Sequence, residues 1–218
     1  MNRRAALRIL AAAAWASTVG RGHAATPLGP PWMVVPTLTI VGPAGDPRIA
    51  LVHEAIAFWN GIFANLGSAF RLGAARRIDG EVPAAELIAA SQATLSQANP
   101  ALPESLRAVP GNIIVALSNA DFVSFSARRM ADAKALVAIK SGLAYPLTLP
   151  NVARDVIAHE LGHAIGLGHN RDAALLMCGR PAECRPAAFQ SATEHYFPLA
   201  DDEKLLLLTL YPADWRPR

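Results

Sequence analysis

The sequence predicts an α+β fold, and three observations predict it. Residues 46–66 place Ile49, Val52, Ile56, Trp59, Phe63 and Leu66 at alternating three- and four-residue steps, the period of a long helix with one buried face. Short apolar runs of strand length recur at 37–41, 112–118 and 135–140. Further helical patterns occupy 151–165 and the C-terminal end of the chain.

The chain opens with Arg3, Arg4 and Arg8, continues with the apolar run 9–19 and reaches Gly22-His23-Ala24 before Ala25. A basic front, an apolar middle and a small-residue exit describe a secretion signal over 1–24, with periplasmic or secreted delivery; the apolar run is too short to span a bilayer comfortably. Arg3-Arg4 is compatible with twin-arginine export and leaves the Sec route open. Of the 218 residues, removing 24 leaves 194, a length that suits one domain over 25–218 with an adequate core. The whole chain counts 20 Lys and Arg against 17 Asp and Glu, but four of the bases, Arg3, Arg4, Arg8 and Arg21, lie in the leader. The 20 less these four leave 16 bases against 17 acids, so charge gives no reason to expect nucleic acid or an anionic membrane as partner. No run after the leader is long enough to anchor the chain in a membrane.

Four prolines between 26 and 36 favour an extended, irregular start before the strand at 37–41. Asp46 caps the long helix with Pro47 at its first position, and His53, beside the apolar stripe, reads as structural. A short strand at 69–72, a helix at 83–97 and a loop or single turn at 100–110 lead to the strands at 112–118 and 135–140. Residues 142–149 read as extended, with Pro146 confining any strand there to a sheet edge. Pro150 stops what precedes it and Asn151 caps the next helix. On that helix Val152, Val156, His159 and His163 share one broad face, while Ala153, Ile157, Leu161 and Ala164 form an adjacent apolar side. Asp201 and Asp202 open a terminal helix through 205–211, where first-turn carboxylates suit the helix dipole. The only two cysteines, Cys178 and Cys184, are six residues apart, a spacing that permits a small disulfide in an exported chain.

The stretch His159-Glu160-Leu161-Gly162-His163-Ala164-Ile165-Gly166-Leu167-Gly168-His169 carries the chemistry. On a helix, His159 and His163 leave the same face one turn apart and can share one ion. Gly166 is a natural stop, because glycine adopts a left-handed conformation without a side-chain clash, and the reversal brings His169 back toward the same point. Three protein nitrogens around zinc leave its fourth position for water, the arrangement of a catalytic site and not of a closed structural one. Glu160, beside His159 but outside the ligand set, can accept a proton from that water. The bland alternative is a helix whose histidines are ordinary core and surface residues.

These residues resemble the HExxHxxGxxH signature of the metzincin zinc endopeptidases. Met177, eight residues after His169 within Ala174-Leu175-Leu176-Met177, resembles the methionine turn beneath the zinc in that family, at the spacing of the matrixin branch. The resemblance covers about 140–212, with 37–66 in support. It implies a metzincin-like mixed twisted β-sheet carrying a long N-terminal helix, a zinc-binding active-site helix and a C-terminal helix. It also implies one catalytic zinc on His159, His163 and His169, with Glu160 as general base in peptide-bond hydrolysis. The substrate would be a polypeptide bound in extended form along a sheet edge, and Leu143-Ala144-Tyr145-Pro146 resembles the matrixin edge segment in placement. Residues 179–198 would line the pocket for the residue after the scissile bond, with Phe189, Tyr196 and Phe197 as candidate walls. Asp202 would support the methionine turn, as an aspartate of the matrixin terminal helix does.

The chain also departs from that family. Asn170 follows the third histidine where the named branches have other residues, and the histidines of a matrixin second zinc are missing. No cysteine stands upstream to serve as a latency thiolate, and little room is left for a propeptide. Calcium and oligomeric state leave no dependable signature. Two rival readings share the histidines: another zinc enzyme class would use Glu183 or Glu194 as third ligand, and a non-catalytic zinc-bearing module of the cell envelope would need no base at Glu160.

Overall fold

Side chains that alternate between two faces of a sheet need cover on both, and this chain supplies it with helices. The computed structural model describes residues 25–96, 101–129, 133–143, 145–179, 183–185 and 194–218; the expected secretion signal over 1–24 lies outside them. Strands β1 (Leu38–Gly42), β2 (Ala75–Asp79), β3 (Ile113–Leu117), β4 (Phe125–Arg129) and β5 (Lys134–Ile139) form one mixed, twisted sheet in the order β2-β1-β3-β5-β4. The strands from β2 to β5 in that order run parallel, and β4 closes one edge antiparallel to β5. The register sets Ile40 level with Val115 and Val115 level with Val137, so one apolar row crosses the centre.

Helices α1 (Arg48–Asn65) and α3 (Pro150–Ala164) cover that row. Trp59 and Phe63 of α1 and Ile157 and Leu161 of α3 pack there against Leu38, Ile40, Val115 and Val137. The opposite face presents Val41, Ile114, Ala116 and Leu136 to Leu87 and Ala90 of α2 (Ala84–Leu95) and to Leu106 of a single turn at Glu104–Leu106. Each Val, Leu, Ile or Phe so buried contributes about 1.5–3 kcal/mol. Strands β1 and β3 are buried along their whole length, which is why they read as unbroken apolar runs. The C-terminal helix α4 (Asp201–Leu210) adds Leu206, Leu207 and Leu210 to the first core. Among the described residues no helix is long and apolar enough to cross a membrane.

Several expected elements move. The strand expected at 69–72 is irregular chain whose Phe70 and Leu72 plug the core; the strand, β2, comes at Ala75–Asp79 and exposes Arg76 and Arg77. The helix expected to reach 97 ends at Leu95, and Gln97 lies outside the described residues. Helix α3 begins one residue earlier than expected: Pro150 occupies its first turn, Leu149 is the cap, and Asn151 instead accepts a hydrogen bond from Arg154 Nη1 at 3.1 Å. Helix α1 starts at Arg48 with Pro47 in the cap position, one residue later than expected, and Asp46, before the cap, accepts the Arg48 backbone N–H at 2.9 Å. The buried Arg48 guanidinium then donates to the Ser118 and Lys140 carbonyls, tying the start of α1 to the ends of β3 and β5.

The far end of α3 is held by both ends of the described chain. Trp32 Nε1 donates to Ala164 O at 2.9 Å, Leu28 N–H to Gly166 O at 3.0 Å, and Tyr211 Oη to Ile165 O at 2.9 Å while accepting the Trp32 N–H at 3.3 Å. These are carbonyls that a helix end leaves unpaired. Tyr211→Phe strands the Ile165 carbonyl and the Trp32 N–H in a buried setting, so it is expected to cost about 1–3 kcal/mol. Urea unfolding should show a lower midpoint at unchanged slope, and an unmoved midpoint would remove this clamp from the account.

Candidate metal centre

Helix α3 sets His159 and His163 one turn apart with ring centroids 4.6 Å from each other. The helix gives out at Ala164, and Gly166 follows with φ +112°, a conformation that residues with a side chain rarely adopt. Leu167 N–H closes onto Gly162 O at 3.0 Å, and the reversed chain carries His169 back over the helix face. Its Nε2 lies 3.2 Å from His159 Nε2 and 3.0 Å from His163 Nε2. His159 and His163 are buried, and His169 is the solvent-facing member. These three form a cluster able to hold a metal ion, with all ligand atoms within 4.8 Å of one another.

Two glycines set how closely the parts approach. A β-carbon on Gly162 would stand 2.6 Å from Met177 Sδ, so the motif's glycine lets the buried methionine seat directly under the helix. A β-carbon on Gly179 would stand 2.2 Å from His169 Cγ. The turn carrying both Met177 and Gly179 is fastened to the segment after His169: Asn170 N–H donates to Met177 O at 2.8 Å, and Gly179 N–H donates to Asn170 O at 3.0 Å.

The hydrogen bonds outside the cluster decide what it can bind. His159 Nδ1 faces Leu176 O and His163 Nδ1 faces Leu167 O, each at 2.8 Å. A carbonyl only accepts, so both rings carry their proton on Nδ1 and, when neutral, present bare Nε2 lone pairs. Burial, followed by the neighbouring His169, pushes His163 down to about 4, and burial followed by His163 holds His159 well below its ordinary value. Two buried lone pairs aimed at one point, with His169 Nε2 completing the set, call for a cation. Zinc at about 2.0–2.1 Å from each nitrogen of a tetrahedron needs nitrogens about 3.3 Å apart. The all-imidazole donor set and its spacings fit that ion.

Glu160, next in the chain to His159, is 7% exposed, and its Oε2 is buried with no hydrogen-bond partner among the described residues. Burial pushes its carboxyl up to about 8, against the opposing pull of the Arg185 charge. A carboxyl poised near neutrality can both take and return a proton.

The other expected site residues fare differently. The Cys178–Cys184 disulfide is formed. Asp202 Oδ1 accepts the Glu203 N–H at 2.9 Å, and among the described residues no hydrogen bond ties its side chain to the methionine turn. The buried Glu203 is linked to that turn through Asn170: its Oε1 accepts Asn170 Nδ2 at 2.6 Å and its Oε2 accepts the Ala200 N–H, while the Asn170 N–H donates to Met177 O. Position explains the exchange, since Glu203 lies on the inward face of α4 and the opening carboxylates do not. Glu183 is exposed and Glu194 pairs with Arg154 Nη2 at 2.9 Å; neither belongs to the metal cluster. His53 is exposed on α1 and also stands outside it. Tyr196 stacks on Phe58 at 4.2 Å and Phe197 is buried in the core, so both pack rather than line an open wall; Phe189 lies outside the described residues. The segment 142–149 forms turns and no strand, with Leu143 and Tyr145 exposed and Ala144 outside the described residues. The sheet edge beside the zinc-motif helix is β4, which packs against α3. Arg185, Leu176 O, Leu167 O, Glu203, Gly162 and Gly179 are the contributors that sequence reasoning missed; of these Gly162 and Leu167 lie inside the motif.

No protein-family model matches the chain, and no curated protein matches it. Among solved structures it is similar to metalloproteinase-II from Bacteroides fragilis, at 12% identity and a TM-score of 0.47, over 85% of this chain and 55% of that one. It is also similar to a chain from a chaperone–substrate complex, at 15% identity and a TM-score of 0.42, over 66% of this chain and 28% of that one. The chain thus spans about half the length of the first and less than a third of the second.

Proposed function

We propose that this protein is a zinc-dependent endopeptidase of the metzincin type, exported on its 1–24 leader and cleaving polypeptides bound in extended form. The observation that carries the reading is the convergence of His159, His163 and His169 Nε2 atoms, with two of the rings locked by carbonyls into the tautomer that leaves those nitrogens bare. The matrixin-like spacing of Met177 from His169 and its seat against Gly162 support placement near that branch. The place of β4 at the sheet edge beside α3, unpaired on its outer side among the described residues, supports substrate binding as an added strand, whose main-chain hydrogen bonds tolerate many sequences.

His159, His163 and His169 would hold the ion. When bound, zinc supplies a Lewis acid that polarises a carbonyl and brings the pKa of a coordinated water to about 7. Glu160 takes the proton from the attacking water and returns it to the leaving amine, which frees the new amino end from the acyl carbon. Burial of Glu160 keeps that proton from bulk water between the two transfers. Leu176 O and Leu167 O keep the two helix imidazoles aimed.

Purified exported protein should degrade an unfolded, fluorophore-labelled protein substrate, lose that activity to a zinc chelator and regain it when zinc is returned. Stoichiometric zinc without any cleavage would favour the non-catalytic envelope module, and absence of bound zinc would end the metal reading.

A further inference from the structure

One carbonyl orients His159, and it has a second donor. Leu176 O accepts His159 Nδ1–H at 2.8 Å and Arg185 Nη1 at 2.5 Å. The same guanidinium nitrogen lies 3.3 Å from Cys178 O and 3.5 Å from Leu175 O, so three carbonyls of one turn face a single cation. Carbonyls crowded toward one point repel one another, and a half-buried positive donor among them turns that repulsion into charge-assisted hydrogen bonding. Arg185 reaches this position through the backbone. It follows Cys184, which is bonded to Cys178 in the same turn, and its own N–H donates to Ala173 O at 2.6 Å. Its φ is +53°, a conformation a residue with a β-carbon keeps only where its surroundings fix it.

We propose that Arg185 is a positioning residue of the metal centre, and that the Cys178–Cys184 disulfide serves to hold it there. The proposal rests on the metal reading above. Without the guanidinium, the turn loses the group that gathers its carbonyls, Leu176 O drifts, and His159 loses the acceptor that aims its Nε2. Arg185 is no member of the histidine cluster and acts through Leu176 and His159.

The test is the zinc dissociation constant of the purified protein, measured by competition with a chromophoric chelator, together with the visible absorption spectrum of the cobalt(II) form as a readout of ligand geometry. Arg185→Gln is expected to weaken zinc on the order of 10–100-fold, the usual consequence of losing an outer partner of a ligating histidine, and to alter the cobalt spectrum. Arg185→Lys should restore most of the affinity, because an ammonium also donates to several carbonyls. Replacing both Cys178→Ser and Cys184→Ser should weaken zinc by a similar factor, and adding Arg185→Gln to that pair should cost little more, since all three act through one contact. If the parent binds one zinc and Arg185→Gln binds it equally tightly with an unchanged cobalt spectrum, the positioning role is wrong while the metal reading stands. If the parent binds no zinc, both fall. Equal losses in Arg185→Lys and Arg185→Gln would overturn the role of the charge. Should Arg185→Gln not fold, parent-like affinity in the serine pair overturns the disulfide's task.

Discussion

Glu160→Gln is expected to lower peptide hydrolysis by about 10²–10⁴-fold, the usual contribution of a positioned proton-transfer group, with zinc content unchanged. The two halves of that expectation have separate physical grounds. Glutamine has the size of glutamate, and Glu160 is no member of the histidine cluster, so the ligands keep their places. It cannot accept a proton from water at neutral pH, which is the task assigned to Glu160. Oε2 is buried with no hydrogen-bond partner among the described residues, so replacing that oxygen breaks no hydrogen bond seen there. Removing a carboxyl that burial already disfavours should leave stability near the parent's. Turnover of a labelled protein substrate, metal analysis and a thermal melt on the same preparation give the three readouts. Parent-like turnover would sink the assignment of the base, and loss of zinc would mean that Glu160 is itself a ligand.

Much of this cluster could be read from the chain, because its three histidines lie within one helix and the turn after it. A four-residue spacing on a helix and a glycine where the chain reverses are local features, and local features survive in sequence. The central strands were legible for a related reason: β1 and β3 are covered on both faces and became unbroken apolar runs. The edges were not. In Phe125-Ser126-Ala127-Arg128-Arg129 only Phe125 and Ala127 are apolar, and in β2 the arginines face outward, so neither strand announced itself. Phe70 and Leu72 misled in the opposite direction, being core plugs on irregular chain. The supports of the metal cluster were hidden more deeply. Leu176 and Leu167 contribute through their carbonyls, which every residue possesses. Arg185 and Glu203 reach the site from other segments, and the turn of α4 chooses Glu203 over Asp202.

Gly179→Ala is expected to abolish zinc binding as thoroughly as His169→Ala, although the residue supplies no ligand atom. A β-carbon there would lie 2.2 Å from His169 Cγ, 2.5 Å from Cδ2 and 2.6 Å from Cβ, well inside any tolerable contact. These atoms form the root of the imidazole, so relief cannot come from swinging a flexible tip. Backbone retreat is opposed as well, because Gly179 N–H to Asn170 O and Asn170 N–H to Met177 O hold the two segments in register. The ring itself must leave, and Nε2 leaves with it. Affinity should fall beyond the roughly 100-fold that ends the range for outer partners, because a ligand is displaced. Gly61→Ala is the matched control: its β-carbon meets nothing within 4 Å, and alanine on a helix is, if anything, favourable. Glu183→Ala and Glu194→Ala should likewise keep zinc, the first being exposed and the second engaged with Arg154. Chelator competition on the five variants tests the set together. Parent-like affinity in Gly179→Ala would mean that His169 does not hold the place from which it ligates, and loss of zinc in either glutamate variant would return the third position to a carboxylate.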